Sequence, residues 1–187
     1  WKMDELELLE RSKQGDVDAF NRLVLMYQTQ VYNVALRMLG NPQTAEDVTQ
    51  EAFISAFRSI RRFRGGSFRA WLLHIATNAA RDHFRSTKRR PTLSLDSLKA
   101  DPADSEAVET HALRRELGEE ISRGLAQLPT DQRLAVVLSD IQGLSYEEMA
   151  QAMGCSIGTV KSRLSRGRAQ LRDYLVQHGT FPITKPS

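Results

Sequence analysis

The sequence predicts an all-α protein built as two small helical domains joined by a flexible acidic linker. Three observations lead there. Apolar residues recur at helical spacing along nearly the whole chain, and no clear stretch alternates with period two. Residues 91–110 lose that spacing and turn acidic. Residues 144–175 read as a short capped helix, a glycine turn and a second helix, the helix-turn-helix pattern.

Asp16 can cap a first long helix with Phe20, Leu23, Val24, Tyr27, Val31, Ala35 and Met38 on one face, and Gly40-Asn41-Pro42 stops it. A second helix is expected from about Ala45 to Arg61, with Val48, Ala52, Phe53, Ala56 and Ile60 inward. Its opposite face carries Asp47, Gln50, Glu51, Ile54 and Arg58. The acids argue against DNA there, and Ile54 hints at a protein partner, although one exposed apolar residue is normal on any surface.

After the loop Phe63-Arg64-Gly65-Gly66-Ser67, a third helix is expected from about Phe68 to Thr87. Phe68, Leu72, Ile75, Ala76 and Ala79 face inward by projection, His74, Thr77, Asn78, Arg81, Arg85 and Lys88 line the other side, and Trp71 sits on the border. Between Ala56 and Arg90 stand ten basic residues against one acid, Asp82. A basic stripe with amides and hydroxyls, next to aromatic rings and a Gly-Gly loop, suits a strand-separated nucleic acid. Bases stack on such rings for roughly 1–3 kcal/mol each, while cations follow the backbone.

Residues 91–110 hold Pro91, Pro102, five acids and one base, a linker composition. A second helical group begins near His111, where Leu113, Leu117, Ile121 and Leu125 recur every four residues. Pro129-Thr130-Asp131 starts another helix, with Leu134, Val137, Leu138 and Ile141 inward and Gly143 closing it. The expected organisation is therefore a domain at 1–90, a linker at 91–110, a domain at 111–178 and a loose tail at 179–187.

Ser145 and Glu148 have the spacing of a capping box, with Leu144 and Met149 at the staple positions. Gly154-Cys155-Ser156 is the tight turn, and Ser156 can cap the last helix, which carries Val160, Leu164, Leu171 and Leu175 on one face. Between Ser156 and Arg172 there are five basic residues and no acid. Thr159, Ser162, Arg163 and Arg166 point away from the leucines, as base-reading side chains must. One arginine bidentate to guanine is worth roughly 1–3 kcal/mol of discrimination. Lys161, Arg168 and Arg172 are left to hold phosphates.

Composition excludes several classes. The net charge of +3 is mildly basic, and hydrophobic content is 41%. No run approaches the roughly 20 apolar residues that span a bilayer, and Trp1–Leu6 has no apolar signal-peptide core. The single cysteine, Cys155, leaves no internal disulfide and no Cys-pair zinc site, so a cytoplasmic chain without metal or cofactor is expected. His74, His83, His111 and His178 are scattered, and no phosphate loop, nucleophile elbow or Cys-His pair is visible, so no enzyme is expected. A stand-alone helix-turn-helix regulator is the alternative. It accounts for residues 144–175 but leaves the second basic helix unexplained, and the extended apolar face of a dimer is missing.

Asp47-Val-Thr-Gln-Glu-Ala-Phe-Ile-Ser-Ala-Phe57, Phe63-Arg-Gly-Gly-Ser67 and Trp71-Leu-Leu-His-Ile-Ala-Thr-Asn78 resemble sigma region two. Gly143-Leu-Ser-Tyr-Glu-Glu-Met-Ala150 and Gly158-Thr-Val-Lys-Ser-Arg-Leu-Ser-Arg-Gly-Arg168 resemble sigma region four. The similarity is to the extracytoplasmic-function group of bacterial RNA polymerase sigma factors, over about residues 5–175. It implies that Asp47, Gln50, Glu51 and Phe57 dock on core RNA polymerase, and Ile54, read above as a hint of a protein partner, is expected to join them. It implies that Arg64, Gly65, Gly66, Ser67 and Asn78 capture a flipped base and hold the melted strand of the minus-ten element of promoter DNA, and the basic stripe read above adds Trp71, His74, Thr77, Arg81, Arg85 and Lys88 to that contact. It implies that Ser156, Thr159, Lys161, Ser162, Arg163, Arg166 and Arg168 meet the minus-thirty-five element. It also implies an anti-sigma factor as a partner and an acidic linker that threads toward the polymerase active site; no insertion into a membrane is expected from the lack of a long apolar run.

Overall fold

The computed structural model describes residues 4–88 and 108–178, so most of the expected linker and the whole expected tail lie outside the described residues. Among the described residues every regular element is helical.

The N-terminal half is four helices. α1 (Glu5–Lys13) buries Leu8, Leu9 and Ser12. Periodicity does not reveal it, because nine residues give only about two and a half turns of pattern. α2 (Val17–Leu39) starts where Asp16 accepts from the Ala19 N–H at 3.0 Å and ends at Gly40 in the left-handed conformation. α3 (Pro42–Ser59) begins three residues earlier than expected. Asn41 accepts from Thr44 N–H at 2.9 Å, and Pro42 fits the first turn because its missing N–H has no partner to lose there. A 3-10 turn (Ile60–Arg62) follows, and α4 (Phe68–Lys88) completes the half. Val48, Ala52, Phe53, Ala56 and Ile60 are buried as their spacing requires.

The C-terminal half is α5 (Val108–Gln127), α6 (Thr130–Val136), α7 (Tyr146–Met153) and α8 (Ile157–Gln177). α5 starts at Val108, so residues 108–110 are helix rather than linker. Along it, Leu125 is buried, Ile121 half-buried and Leu117 exposed. α6 runs into a π turn, Val137–Ile141, in which the Gln142 N–H donates to Val137 O at 3.0 Å. The extra residue per turn shifts the helical phase. Ile141, expected inward, is 40% exposed as a result, while Leu134, Val137 and Leu138 are buried.

α8 crosses α6 at Gly167, where an added Cβ would stand 2.9 Å from both Gln132 O and Val136 Cγ2. A glycine inside a helix costs about 1 kcal/mol of propensity against alanine, so its place here is explained by the close approach. The two halves share one core: α4 packs on α3 with one side and on α7 with another. Thr77, expected on the outward side of α4, is fully buried for that reason.

The crossing makes a test by contrast. Gly167→Ala is expected to lower stability by about 1–2 kcal/mol, because overpacking against backbone outweighs the gain in helix propensity. Gly118→Ala in α5, where an added Cβ meets nothing within 4 Å, is expected to be neutral or to raise stability by up to about 1 kcal/mol. Urea unfolding of the two variants reads the sign of each.

Candidate nucleic-acid and protein interfaces

The Gly-Gly loop is built for backbone access. Gly65 and Gly66 have φ of +101° and +87°, a region closed to most side chains, and a Cβ added at either would meet nothing within 4 Å. Ser67 Oγ accepts from the Ala70 N–H at 3.2 Å, which starts α4. Behind the loop, Phe63, Phe68 and Trp71 form a triad with centroids 5.4–5.6 Å apart, and Tyr27 meets Phe68 edge-on at 5.6 Å. Phe68 is core, and Trp71 is half-buried on the border the sequence indicated. A groove of about 450 Å³ opens here, lined by Leu6, Tyr27, Phe63, Gly65, Gly66 and Glu148 among others. Burial, with Glu5 alongside, pushes the Tyr27 hydroxyl up to about 12, so it stays a neutral donor.

The polar side of α4 is largely occupied by the other half. His74 Nδ1 donates to Ala152 O at 3.1 Å, and Thr77 Oγ1 lies 3.1 Å from the same carbonyl. Asn78 Nδ2 donates to His74 Nε2 at 3.0 Å, so the hydrogen bonds place the imidazole proton on Nδ1. Ser67 donates to Glu148 Oε1 at 2.9 Å, and Arg69 donates to Gln142 O. Arg81 pairs with Asp131 at 3.1 Å. Arg64 and Asn78 are exposed, and Arg85 pairs only loosely with Asp82 at 3.6 Å. The Lys88 side chain falls outside the described side chains.

In the helix-turn-helix, Ser145 Oγ accepts from Glu148 N–H at 3.2 Å, while Glu148 Oε2 accepts from Ser145 N–H at 3.1 Å. Its other oxygen is the one that holds Ser67, so a single carboxylate caps its own helix and grips the Gly-Gly loop. Gly154 turns the chain at φ +64°, and Ser156 accepts from Thr159 N–H at 3.2 Å to open α8.

The α8 cations divide into two flanks. Arg163 is half-buried and salt-bridged to Asp131 at 2.6 Å, the acid that also holds Arg81. Arg166 is exposed. On the other flank Lys161, Arg168 and Arg172 line a groove of about 530 Å³ with Tyr146, whose ring lies 5.3 Å from Lys161 Nζ. Arg168 Nε donates to Asp140 Oδ2 at 3.0 Å, a bond that raises the guanidinium above its ordinary value. Ser162 Oγ donates back to Thr159 O at 3.0 Å.

Asp47, Gln50, Glu51 and Ile54 are all exposed on one face of α3, Ile54 at 52%. Phe57 is half-buried instead, with its ring 4.9 Å from Phe20.

Sequence reasoning missed Asp131, Asp140, Arg133 and the second role of Glu148. Asp140 was hidden by the π turn. The others act across the seam between the halves, which no local pattern records. Among the described residues no group of three or more His, Cys, Asp or Glu is placed to hold a metal, and no helix is long and apolar enough to cross a membrane.

Residues 23–90 match the family described as Sigma-70 region 2, and residues 118–171 match Sigma-70, region 4. The chain is 41% identical over 171 residues to the RNA polymerase sigma-H factor of Pseudomonas aeruginosa, covering 87% of this chain and 89% of that one. It is 40% identical over 170 residues to the ECF RNA polymerase sigma-E factor of Escherichia coli K12, covering 86% and 88%. It is 41% identical over 171 residues to the ECF RNA polymerase sigma factor SigE of Mycolicibacterium smegmatis, covering 89% of this chain but 65% of that longer one. Among solved structures it is similar to CnrH in complex with the cytosolic domain of CnrY, at TM-score 0.70 and 30% identity, over 93% of this chain and 97% of the other. It is also similar to the sigma factor RpoE of Bartonella quintana in complex with the anti-sigma factor NepR, at TM-score 0.66 and 28% identity, over 85% and 98%.

The Asp140 contact yields a prediction. Asp140→Asn removes the charge that holds Arg168, so duplex DNA affinity should rise and the slope of log affinity against log salt should steepen by about one phosphate contact. An unchanged slope in a fluorescence-anisotropy salt titration would place Arg168 away from DNA.

Proposed function

Since this chain belongs to the sigma-70 family, in its extracytoplasmic-function group of RNA polymerase sigma factors, we propose how its faces divide the work of initiation. α3 docks on core RNA polymerase through Asp47, Gln50, Glu51 and Ile54. Phe57, tied to Phe20, shapes that face from beneath. The observation that carries this assignment is the company Ile54 keeps: a half-exposed isoleucine among exposed acids and an amide, on the helix face least suited to DNA.

The Gly-Gly loop and α4 hold the melted minus-ten strand. Arg64 and the open backbone at Gly65 and Gly66 meet the strand, and Ser67, Trp71, His74, Thr77, Asn78, Arg81, Arg85 and Lys88 follow it along the helix. A flipped base costs a few kcal/mol of unstacking. Offsetting that cost requires a recess with aromatic walls, and the groove beside Tyr27 and Phe63 has them.

α8 enters the major groove of the minus-thirty-five element. Arg166, exposed on the base-reading side, is the specificity residue, with Thr159 and Ser162 beside it. Arg163 reads bases only if it leaves Asp131, so its share is smaller than its position alone suggests. Ser156, Lys161 and Arg168 track phosphates. The chain works without catalysis of its own, in the cytoplasm where polymerase and promoter are. An anti-sigma factor as partner extends to this chain what is stated of the Bartonella quintana relative.

Asp47→Ala with Gln50→Ala should weaken binding to core polymerase about tenfold or more while leaving duplex DNA affinity unchanged. Equal affinity on a size-exclusion or anisotropy titration would remove the docking face from α3. Arg166→Ala should flatten preference among minus-thirty-five sequences by about tenfold while polymerase binding holds. A uniform loss on every promoter would make Arg166 a phosphate contact.

A further inference from the structure

We infer that α1 is a wall of the recess for the flipped base, and that this wall retains the base without choosing its identity. The inference rests on the assignment of the Gly-Gly loop and α4 to the melted minus-ten strand. α1 stands ahead of every motif that points to promoter DNA. Yet this one helix supplies Glu5, Leu6, Leu9, Glu10 and Lys13 to the lining of the groove of about 450 Å³, beside Tyr27, Phe63 and the two glycines. It is not a loose arm. Leu8 and Leu9 are buried in the core. Arg61 Nε, in the 3-10 turn just before the loop, donates to Lys13 O at 3.2 Å, in the last residue of α1. A carbonyl at a helix C-terminus has no intrahelical partner, so a guanidinium there satisfies it and complements the dipole. Lys13 Nζ bonds to Glu10 at 2.8 Å and lies 5.6 Å from the Phe63 ring centre. Wall and loop are therefore held in one frame.

Leu6 is 69% exposed, on a short helix whose other two leucines near it, Leu8 and Leu9, are buried. A lone exposed leucine is ordinary on a surface. This one stands in an aromatic-lined groove, where a planar base entering the recess takes it out of water and gains an apolar contact. Every base has such a face, so the contact does not distinguish one from another. The polar edge is met in the same indifferent way. Glu5 is half-buried alongside the Tyr27 hydroxyl. An ionised carboxylate only accepts, and the phenol can donate. Each of the four bases carries an N–H next to an acceptor on its pairing edge, so an acceptor next to a donor serves all of them. α1 thus adds hold and not preference.

The test uses the full chain assembled with core polymerase, with core polymerase alone as the blank. The tightest binder is chosen from a pool of single strands of about 12 nucleotides of randomised sequence. Each of its positions in turn then receives every base or an abasic sugar. The unaltered chain should lose about tenfold in affinity when one particular position is made abasic. Leu6→Ala, which removes no core packing, and separately Glu5→Gln should each bind the intact strand about fivefold more weakly. That factor should be the same for all four bases at the sensitive position and should vanish on the abasic strand. If no position of the strand responds to base removal in the unaltered chain, the recess holds no base, and the reading of the Gly-Gly loop falls together with the proposal. If one position responds but the variants bind as the unaltered chain does, that reading stands and α1 is not a wall. A factor that changes with the base would show α1 choosing identity and would overturn retention without preference. A loss that persists on the abasic strand would show α1 acting elsewhere than on the base, and would overturn the proposal as well.

Discussion

The carbonyl of Ala152 is the constraint on which the arrangement turns. It lies in the last turn of α7, where a helix has no N–H of its own to offer, and a buried carbonyl without a donor costs on the order of 1–3 kcal/mol. His74 and Thr77 of α4 supply the donors. Other joints of the seam have the same character: Met38 O at the end of α2 and Gln142 O after the π turn each accept from an arginine of the other half. Two small domains that each leave helix ends bare meet where those ends can be satisfied.

That chemistry explains why covering and binding compete. A groove that follows a single strand is rich in donors, because the phosphate oxygens it tracks are acceptors only. Helix-end carbonyls are acceptors too. The α4 stripe therefore satisfies either nucleic acid or the C-terminal half. The polar bonds of the seam are individually worth about 1 kcal/mol net, and they lie beside apolar packing that the two halves share. Burial of Arg133 draws its guanidinium below its ordinary value, yet an arginine keeps its charge, and its joint with Met38 O stays cationic at any physiological pH.

Much of this was legible from residue order. The helical period identified α2, α3, α4, α6 and α8, and the caps at Asp16, Ser145 and Ser156 are formed as their spacing implied. All five residues expected on the inward face of the α3 segment are buried, Ile60 from the 3-10 turn, and Ala45 joins them from the extra first turn. Three kinds of feature escaped. α1 is too short for periodicity to register. The π turn after Val136 breaks the 3.6 period, which turned Ile141 outward and brought Asp140 to Arg168. Long-range pairing, such as Glu148 with Ser67 or Asp131 with both Arg81 and Arg163, leaves no local trace. Gly167 did leave one: a glycine in the middle of an otherwise well-formed helix marks a close crossing, here against the α6 backbone.

The central claim, that α3 carries the polymerase contact while α4 and α8 are left for DNA, is most directly tested by a footprint. Amide hydrogen exchange of the full chain, alone and with core polymerase in the absence of DNA, reads which helix faces are covered. The amides of α3 around Asp47, Gln50, Glu51 and Ile54, all exposed in the free chain, should be the ones protected. Unchanged exchange along α3, with protection confined to α8, would contradict the account.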